Sequence, residues 1–188
     1  SWPDAPLYRY YITMTLRLFR PAWALALAPL LFAAGELSNR PAPPFRLQDP
    51  GGRTVSLADY KGRVAVLEFM STTCPHCQQF APVLESLHTR YKGRVGVVSI
   101  AAYPDNARTV AEFVKTYKVS FPVLLDPQHS AARDYLKPSP PNYGFSIPHL
   151  FVIDTTGFIR DDFTQNPSNS QFFTSPGLTR LVQGYLGR

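Results

Sequence analysis

The sequence EFMSTTCPHCQQFAP, residues 68–82, decides the fold and the chemistry of this 188-residue chain. The apolar residues around its start predict a buried strand, and the residues from Pro75 onward predict the first turns of a helix. Cys74 and Cys77, the only cysteines of the chain, stand at this junction. Two thiols three positions apart can close a small disulfide ring and open it again, so the stretch predicts thiol–disulfide exchange.

The two cysteines are expected to have different roles. A thiol attacks as the thiolate, which the free N–H groups and the dipole at a helix N-terminus stabilise, and cysteines so placed in CxxC motifs have pKa values of roughly 3.5–7.5. We therefore expect Cys74 to be the exposed attacking thiol and Cys77 to be the resolving thiol. His76 is expected to stabilise the thiolate by charge or by hydrogen bonding. Pro75 suits the first helical position, where its missing N–H costs nothing.

Glu68 interrupts the apolar run VAVLEF, so its carboxyl group is expected to be buried. Burial raises the pKa of a carboxyl group, which can then hold a proton near neutral pH. Close to the resolving thiol, Glu68 would relay the proton of Cys77 through water. The alternative is that Glu68 faces solvent at a strand edge and has no chemical role.

Two other interpretations of the cysteine pair carry less weight. A CxxC pair can be half of a structural zinc site, but the chain has no third or fourth cysteine, and its histidines besides His76 are only His88, His129 and His149. A static disulfide between Cys74 and Cys77 would close too small a loop to stabilise the fold much. We therefore expect no metal and no cofactor apart from the redox-active disulfide.

At these residues the sequence resembles the thioredoxin superfamily. The resemblance rests on an acidic residue six positions before the first cysteine, the CxxC motif, Ala81-Pro82 in the following helix, and Ile147-Pro148 before a later strand. It implies an α/β thioredoxin-like fold, in which helices flank a central mixed β-sheet with an N-terminal β-hairpin. It also implies a cis peptide bond at Pro148, in a loop that lies against the disulfide and presents backbone to an extended substrate peptide.

The resemblance extends the predicted site beyond the cysteines. The predicted catalytic residues are Cys74, Cys77, Glu68, His76 and Pro148, and the predicted substrate-binding residues are Ile147, His149, Pro75 and Thr73. An aromatic residue is usual in the family where Thr73 stands, and a threonine is common where His149 stands, so the redox potential of a relative does not carry over. His149 is either a second cationic partner of the Cys74 thiolate or a residue that caps the loop.

Different parts of the sequence resemble different branches of this superfamily. The CPHC motif and the VLEF run resemble DsbA-type oxidants, although no large helical insertion follows. The flanks resemble the TlpA/ResA-type redoxin branch of extracytoplasmic proteins, in FRL at 45–47, DPGG at 49–52, VSLADYKG at 55–62, FPVLLD at 121–126 and FVID at 151–154. His76 favours oxidation or isomerisation, whereas the TlpA/ResA resemblance favours reduction, as in cytochrome c maturation. The direction of electron flow stays open at this point.

The same resemblance suggests two alternative functions. Peroxiredoxins look similar across the hairpin and the sheet, and their motif has a proline and a Thr or Ser before the peroxidatic cysteine. Ser71 supplies the hydroxyl, but Leu67 stands where the proline belongs. A copper-binding protein with this fold would hold Cu(I) with Cys74, Cys77 and a histidine such as His149, but related copper-delivery proteins space their cysteines one residue wider.

The N-terminal residues predict export from the cytoplasm. Arg17 and Arg20 are followed by an apolar run at 21–34 that ends in small residues, which is the order found in a signal peptide. The run is shorter than the about 20 residues that span a bilayer. Cleavage near Gly35 is therefore expected, an uncleaved membrane anchor is the alternative, and the protein is placed in the periplasm.

The chain is expected to have two parts. Residues 1–40 hold an upstream extension, the signal peptide or anchor from about 14 to 35, and the start of a proline-rich linker, and residues 41–188 form the thioredoxin-like domain. The formal net charge of +6 is mild, and no run of basic residues with interleaved aromatic residues supports nucleic-acid binding. We expect a monomer whose partners are protein thiols or disulfides and a membrane redox protein.

Periodicity along the domain predicts strands that alternate with helices. After a hairpin at 45–47 and 53–55, the predicted strands are 63–70, 95–102, 121–125, 150–153 and 158–160. The predicted helices are 75–91, a helix that Asp105 or Asn106 caps, 130–136, and a last helix from Ser175. Residues 161–174 are polar and aperiodic, which predicts a mobile loop.

Overall fold

A computed structural model of the chain describes residues 35–102, 104–137 and 146–186. Nearly all of the predicted signal segment and most of the predicted loop at 137–144 lie outside these residues. The strands are β1 (Arg40–Pro41), β2 (Arg46–Gln48), β3 (Thr54–Ser56), β4 (Val64–Met70), β5 (Val95–Ala102), β6 (Val123–Asp126), β7 (His149–Ile153) and β8 (Phe158–Thr164). The helices are α1 (Pro75–Arg90), α2 (Ala107–Tyr117), α3 (Ser130–Leu136) and α4 (Ser175–Leu186), with short 3-10 helices at Leu57–Tyr60 and Ser170–Phe173.

The strands of the described residues form one mixed sheet in the order β1-β8-β7-β4-β5-β6-β2-β3. β4, β5 and β6 run parallel to one another, and the other neighbouring pairs are antiparallel. All seven residues of β4 are buried, as a strand that is covered on both faces requires. The predicted central mixed sheet, with β2 and β3 as its N-terminal hairpin, is confirmed.

Helices cover both faces of the sheet, and alternation along β4 sends its side chains to one face or the other. Val64 and Val66 pack with α1, α2 and α4 in one apolar layer. Leu67 and Phe69 pack with α3 and the hairpin in a second apolar layer. We call these two sides of the sheet the α1 face and the α3 face.

α1 begins at the CPHC motif and packs along the α1 face. Its buried residues recur at helical spacing and are Cys77, Phe80, Ala81, Leu84 and Leu87. The sequence pattern thus places the start of the helix, and with it the two cysteines, beside the C-terminal end of β4. Among the helices of the described residues, none is long and apolar enough to cross a membrane.

The residues predicted to start a linker take part in the sheet. Arg40 and Pro41 form β1 and pair with β8. The Asn39 N–H donates to the Ile159 carbonyl at 2.8 Å, and the Ala42 N–H donates to the Gly157 carbonyl at 2.9 Å. Proline is tolerated here because β1 is an edge strand, and the outer side of an edge strand has no neighbouring strand to which an N–H would donate.

The prediction of a mobile loop at 161–174 is wrong over most of that range. β8 continues to Thr164, and Asp161 and Asp162 are only 1% and 7% exposed. A carboxylate is tolerated there because it has a partner: the Tyr185 hydroxyl donates to Asp161 at 2.6 Å. Further on, Phe173 in the second 3-10 helix packs against Phe80 of α1, with ring centroids 4.8 Å apart.

Candidate active site

Cys74 caps the N-terminus of α1. Its sulfur accepts a hydrogen bond from the Cys77 backbone N–H at 3.4 Å, and its carbonyl accepts one from the Gln78 N–H at 3.0 Å. Pro75 lies in the first turn of the helix, as predicted. The Cys74 sulfur therefore lies at the N-terminus of α1, as predicted, where it accepts a backbone N–H of the first turn.

The two thiols differ in exposure. Cys74 is partly exposed, whereas Cys77 is 0% exposed and belongs to the apolar layer on the α1 face. Burial, and after it the negative charge of Glu68, raise the pKa of the Cys77 thiol well above its ordinary value. An approaching sulfur can therefore reach Cys74 first, and Cys77 needs a nearby base before it can react.

Glu68 is buried on the α1 face of β4, with 2% of its surface exposed. Burial raises its pKa to about 8, and a hydrogen bond from the Ser99 hydroxyl to Oε2, at 2.5 Å, acts in the opposite direction. Oε1 has no hydrogen-bond partner within the described part of the chain. The prediction of a buried carboxyl group is confirmed, and the solvent-facing alternative is wrong.

The Ile147–Pro148 peptide bond is cis, as the resemblance predicts. The Ile147 carbonyl oxygen lies 4.0 Å from the Cys74 sulfur, although 73 positions separate the two residues. Pro148 is buried and Ile147 is half-buried, so the peptide backbone of this loop lines the approach to the sulfur. The structure therefore brings Ile147, Pro148 and Cys74 together.

Thr73, Pro75 and His76 form the exposed surface around the Cys74 sulfur. The Thr73 hydroxyl lies 3.2 Å from the hydroxyl of Ser71, which precedes it in the turn between β4 and α1. His76 faces solvent in the first turn of α1. All three residues are exposed and lie outside the core, close in sequence to Cys74.

His149 does not join the site through its side chain. It stands opposite Phe69 in the antiparallel register of β4 and β7, and its ring stacks on Phe151 at 4.6 Å. Both neighbours belong to the α3 face, whereas Cys77 lies on the α1 face. The structure thus gives no support to the prediction that His149 is a cationic partner of the Cys74 thiolate.

The partner of His149 is Asp162, whose Oδ2 lies 3.4 Å from Nε2. The other oxygen of Asp162 accepts from the Leu37 N–H at 3.1 Å and from the Ser38 hydroxyl at 2.6 Å. Burial raises the pKa of Asp162, but the hydrogen bonds from His149 and Ser38 outweigh burial and hold that pKa below its usual value. His149 and Asp162 therefore fasten the N-terminal residues to β8.

Sequence reasoning missed the place of Asp105 in the site. Its carboxylate accepts from the Thr72 N–H at 2.9 Å, from the Thr72 hydroxyl, and from the Thr109 hydroxyl at 3.1 Å. Gln78 Nε2 donates to the Thr72 carbonyl at 2.8 Å. These bonds fix the turn before the reactive cysteine, and Asn106 caps α2 instead. The local sequence contains no signal for this, because Asp and Asn are both good helix caps.

Comparison with known proteins places this site in a family. The sequence model of the AhpC/TSA family matches residues 38–162. The chain belongs to the AhpC/TSA family. The match extends from the residues that precede β1 into β8, so the AhpC/TSA region contains both cysteines, Glu68 and the cis-proline loop.

Relatives of this AhpC/TSA chain include thiol-disulfide oxidoreductases. The thioredoxin-like protein YneN of Bacillus subtilis (strain 168) is 31% identical over 129 residues, which are 68% of this chain and 71% of YneN. The thiol-disulfide oxidoreductase ResA of Bacillus thuringiensis subsp. konkukian is 29% identical over 134 residues, 71% of this chain and 73% of ResA. The chloroplastic peroxiredoxin Q of Triticum aestivum is 31% identical over 153 residues, 77% of this chain and 70% of that protein. The predicted kinship with ResA-like redoxins is confirmed.

Solved structures confirm the thioredoxin-like fold of this AhpC/TSA member. A thiol:disulfide interchange protein of the thioredoxin family from Chlorobium tepidum TLS superposes with a TM-score of 0.67 at 23% identity, over 79% of this chain and 97% of that one. A secreted disulfide oxidoreductase of Mycobacterium tuberculosis, homologous to E. coli DsbE, superposes with a TM-score of 0.58 at 21% identity, over 76% of this chain and 94% of that one.

Proposed function

We propose that this protein is an extracytoplasmic thiol–disulfide oxidoreductase that exchanges a Cys74–Cys77 disulfide with the thiols and disulfides of other proteins. One observation carries the proposal: the sulfur of the partly exposed Cys74 caps α1 and lies 4.0 Å from the Ile147 carbonyl oxygen, whereas Cys77 in the first turn is buried. The homology to thiol-disulfide oxidoreductases agrees with it.

The exchange proceeds in two steps, in each of which a thiolate attacks a disulfide and displaces another thiolate. In the reducing direction the Cys74 thiolate attacks a substrate disulfide, a Cys74–substrate disulfide forms, and the other substrate sulfur leaves as a thiolate that takes up a proton. The Cys77 thiol then loses its proton and attacks the Cys74 sulfur, which forms the Cys74–Cys77 disulfide and releases the second substrate thiolate. Two electrons pass from the protein to the substrate, and the reverse sequence oxidises a dithiol.

Glu68 supplies and removes the proton of Cys77 in this scheme. With a pKa of about 8, its carboxyl group is present in both protonation states near neutral pH. The carboxylate form can accept the Cys77 proton before resolution, and the acid form can return it when Cys77 leaves the disulfide. Because one group serves both steps, Glu68 does not by itself fix the direction of electron flow.

The cis-proline loop is the proposed docking place for a substrate peptide. Backbone groups of Ile147 border the reactive sulfur, and an extended peptide can pair with such groups as an added strand does. Thr73, Pro75 and His76 lie exposed around the same sulfur and would contact the peptide side chains. A membrane redox protein that renews the dithiol or the disulfide would use the same opening.

Two observations support a location outside the cytoplasm. Arg17 and Arg20, followed by the apolar run at 21–34, have the order of a signal peptide or anchor. A structural relative from Mycobacterium tuberculosis is a secreted disulfide oxidoreductase. The proposed targeting segment therefore lies within residues 1–40, and the proposed exchange domain comprises residues 41–188 together with Arg40, which joins it through β1.

Trapping with Cys77→Ser tests the exchange directly. This variant keeps the attacking thiol and lacks the resolving one, so reduced Cys77→Ser is expected to accumulate a Cys74 mixed disulfide with insulin chains, visible on a non-reducing gel and by mass spectrometry. Wild-type protein in the same mixture is expected to turn over and to show little adduct. Absence of the adduct under conditions in which Cys74 is alkylated normally contradicts the proposal.

Peroxidase activity is the second candidate, because the chain is 31% identical to peroxiredoxin Q over 77% of its length. The structure places the Ser71 hydroxyl in contact with Thr73, and buried Leu67 stands at the position of the expected proline. We therefore expect reduced protein to consume hydrogen peroxide far more slowly than it reduces insulin. Stoichiometric loss of peroxide within the mixing time of a stopped-flow experiment would reverse this ranking.

The copper-binding alternative gains no support from the geometry. Within residues 35–102, 104–137 and 146–186, no three His, Cys, Asp or Glu side chains are grouped so that they could hold a metal ion. His149, the predicted third ligand, bonds to Asp162 on the α3 face. The exchange function therefore remains the proposal.

A further inference from the structure

We propose that Ser99 is a positioning residue that holds the Glu68 carboxyl group ready to exchange a proton with Cys77. The inference rests on the proposed function, because it concerns the proton that Cys77 must lose or gain during sulfur exchange. It extends that function by assigning the control of the proton to a second strand, β5, through a residue that is not one of the two reacting cysteines.

Ser99 is the polar exception on its side of β5. Val95, Val97 and Ala101 point to the same face by alternation, and all three belong to the apolar layer on the α1 face. Ser99 is 1% exposed and stands directly opposite Glu68 in the parallel register of β4 and β5. Each strand thus carries one polar residue on this face, and the register places the two side chains next to each other.

The hydrogen bond between these side chains gives the two carboxyl oxygens of Glu68 different roles. The Ser99 hydroxyl donates to Glu68 Oε2 at 2.5 Å, and the Ser99 backbone N–H donates to the Pro122 carbonyl at 3.0 Å, which holds the serine in place. Because Oε2 already accepts a proton from Ser99, the acid proton of neutral Glu68 belongs on Oε1. Oε1 is the oxygen without a partner in the described structure, so it is free to serve Cys77.

The same hydrogen bond opposes the effect of burial on the pKa of Glu68. Burial alone favours the neutral carboxyl group, which could give a proton but not accept one, whereas a donor to the carboxylate favours the charged form. The Ser99 hydroxyl lowers the pKa of Glu68 against the effect of burial and leaves it at about 8. Both forms are then populated near neutral pH, as a group that serves both directions of exchange requires.

Few other charged groups face this carboxyl group from the described elements packed around it. α1 contributes the Cys77 thiol, whose pKa is raised by burial and then by the charge of the carboxylate. β7 contributes Leu150, and the neighbouring residues of α4 are apolar. Asp161 lies two strands away on β8 and is bonded to Tyr185, and His149 lies on the other face of the sheet. Ser99 is therefore the side chain that positions the carboxyl group and, against burial, favours its charged form.

Titration of the Glu68 carboxyl carbon by 13C NMR, in reduced protein, tests the inference. The wild-type midpoint is expected at about 8, and Ser99→Ala is expected to raise it by about one pH unit, because a hydrogen bond to a charged group is lost. At pH 7 the resolution step should slow by about tenfold. Ser99→Thr, which keeps the hydroxyl, should restore both values, and Glu68→Gln assigns the signal.

Ser120→Ala is the matched control. The Ser120 hydroxyl also donates to a glutamate, Glu85 Oε1, at 2.7 Å, but on the surface of the protein. Its loss is expected to leave the Glu68 midpoint and the resolution rate unchanged. A shift as large as that of Ser99→Ala would show that the change is not local, and would overturn the inference.

An unshifted Glu68 midpoint in folded Ser99→Ala would also overturn it. Ser99→Val, which has the shape of the threonine variant without its hydroxyl and suits a buried strand, gives a second variant if the alanine variant does not fold. The titration observes Glu68 itself and needs no exchange activity. A wild-type protein that fails to exchange disulfides would therefore refute the proposed function, while the Ser99 inference would stand or fall on the midpoint alone.

Discussion

Cys74→Ser is expected to abolish disulfide exchange, with the rate of insulin reduction falling by at least about a thousandfold. The hydroxyl that replaces the sulfur cannot form a disulfide, and Cys77 cannot substitute for it because Cys77 is 0% exposed. The variant should also lose rapid alkylation by iodoacetamide, which in the native wild type is expected at Cys74 alone. The rate of insulin reduction and the mass of the alkylated protein check these two results.

Ser86→Ala is a suitable control for this experiment, because Ser86 is exposed in α1 at a distance of three turns from the cysteines. It should keep the wild-type rate. Circular dichroism should show that Cys74→Ser retains the fold, since Cys74 is only partly buried and serine is close to cysteine in size. A Cys74→Ser variant that is folded and still exchanges disulfides would refute the assignment of the attacking thiol.

Glu68→Gln is expected to change how stability depends on pH. The pKa of Glu68 is raised by burial from 4.5 to about 8 in the folded protein. Between these values the folded state holds a proton that the unfolded state has released, so the free energy of unfolding of the wild type falls as pH rises. The fall attributable to this group amounts to about 3–5 kcal/mol between pH 4.5 and 8. Glu68→Gln removes this contribution and should therefore be the more stable protein at pH 8.

Urea unfolding of the reduced protein at several values between pH 5 and pH 8 measures this difference. Each curve should be compared with that of Glu112→Gln, which changes an exposed glutamate of α2 and leaves both thiols in place. The Glu112→Gln curve should run parallel to the wild-type curve. If the Glu68→Gln curve is parallel as well, then Glu68 is not protonated in the folded state at neutral pH.

Local features of the sequence were sufficient to predict the elements that carry the reacting atoms. β4 is apolar apart from Glu68, and α1 starts at the proline that follows Cys74, so a stretch of about fifteen residues predicts both elements. The cis bond before Pro148 came from the resemblance, because residue type alone does not distinguish the two isomers. The sequence therefore predicted Cys74, Cys77, Glu68 and Pro148 as neighbours.

What the sequence did not show are the contacts between polar residues far apart in the chain. Ser99 and Glu68 are separated by 31 positions, and Thr72 and Asp105 by 33. Each of these pairs depends on the register of strands or on the packing of a turn, neither of which a local pattern contains. Asp161 was assigned to a loop for the same reason, since its partner Tyr185 belongs to the last helix. A serine within the otherwise apolar VGVVSIAA was the one signal that could have been used.

The edge strands of the sheet affect whether the protein associates with itself. Open strand edges invite pairing with another molecule, and proteins limit this by keeping such edges short or by interrupting them with proline. Here the outermost strands have two and three residues, β1 contains Pro41, and the chain from Leu37 to Ala42 follows β8 from Asp162 back to Gly157. Such edges offer a second copy of the chain little backbone to pair with. In the proposed function, the backbone that pairs with another chain is instead that of Ile147, beside the Cys74 sulfur.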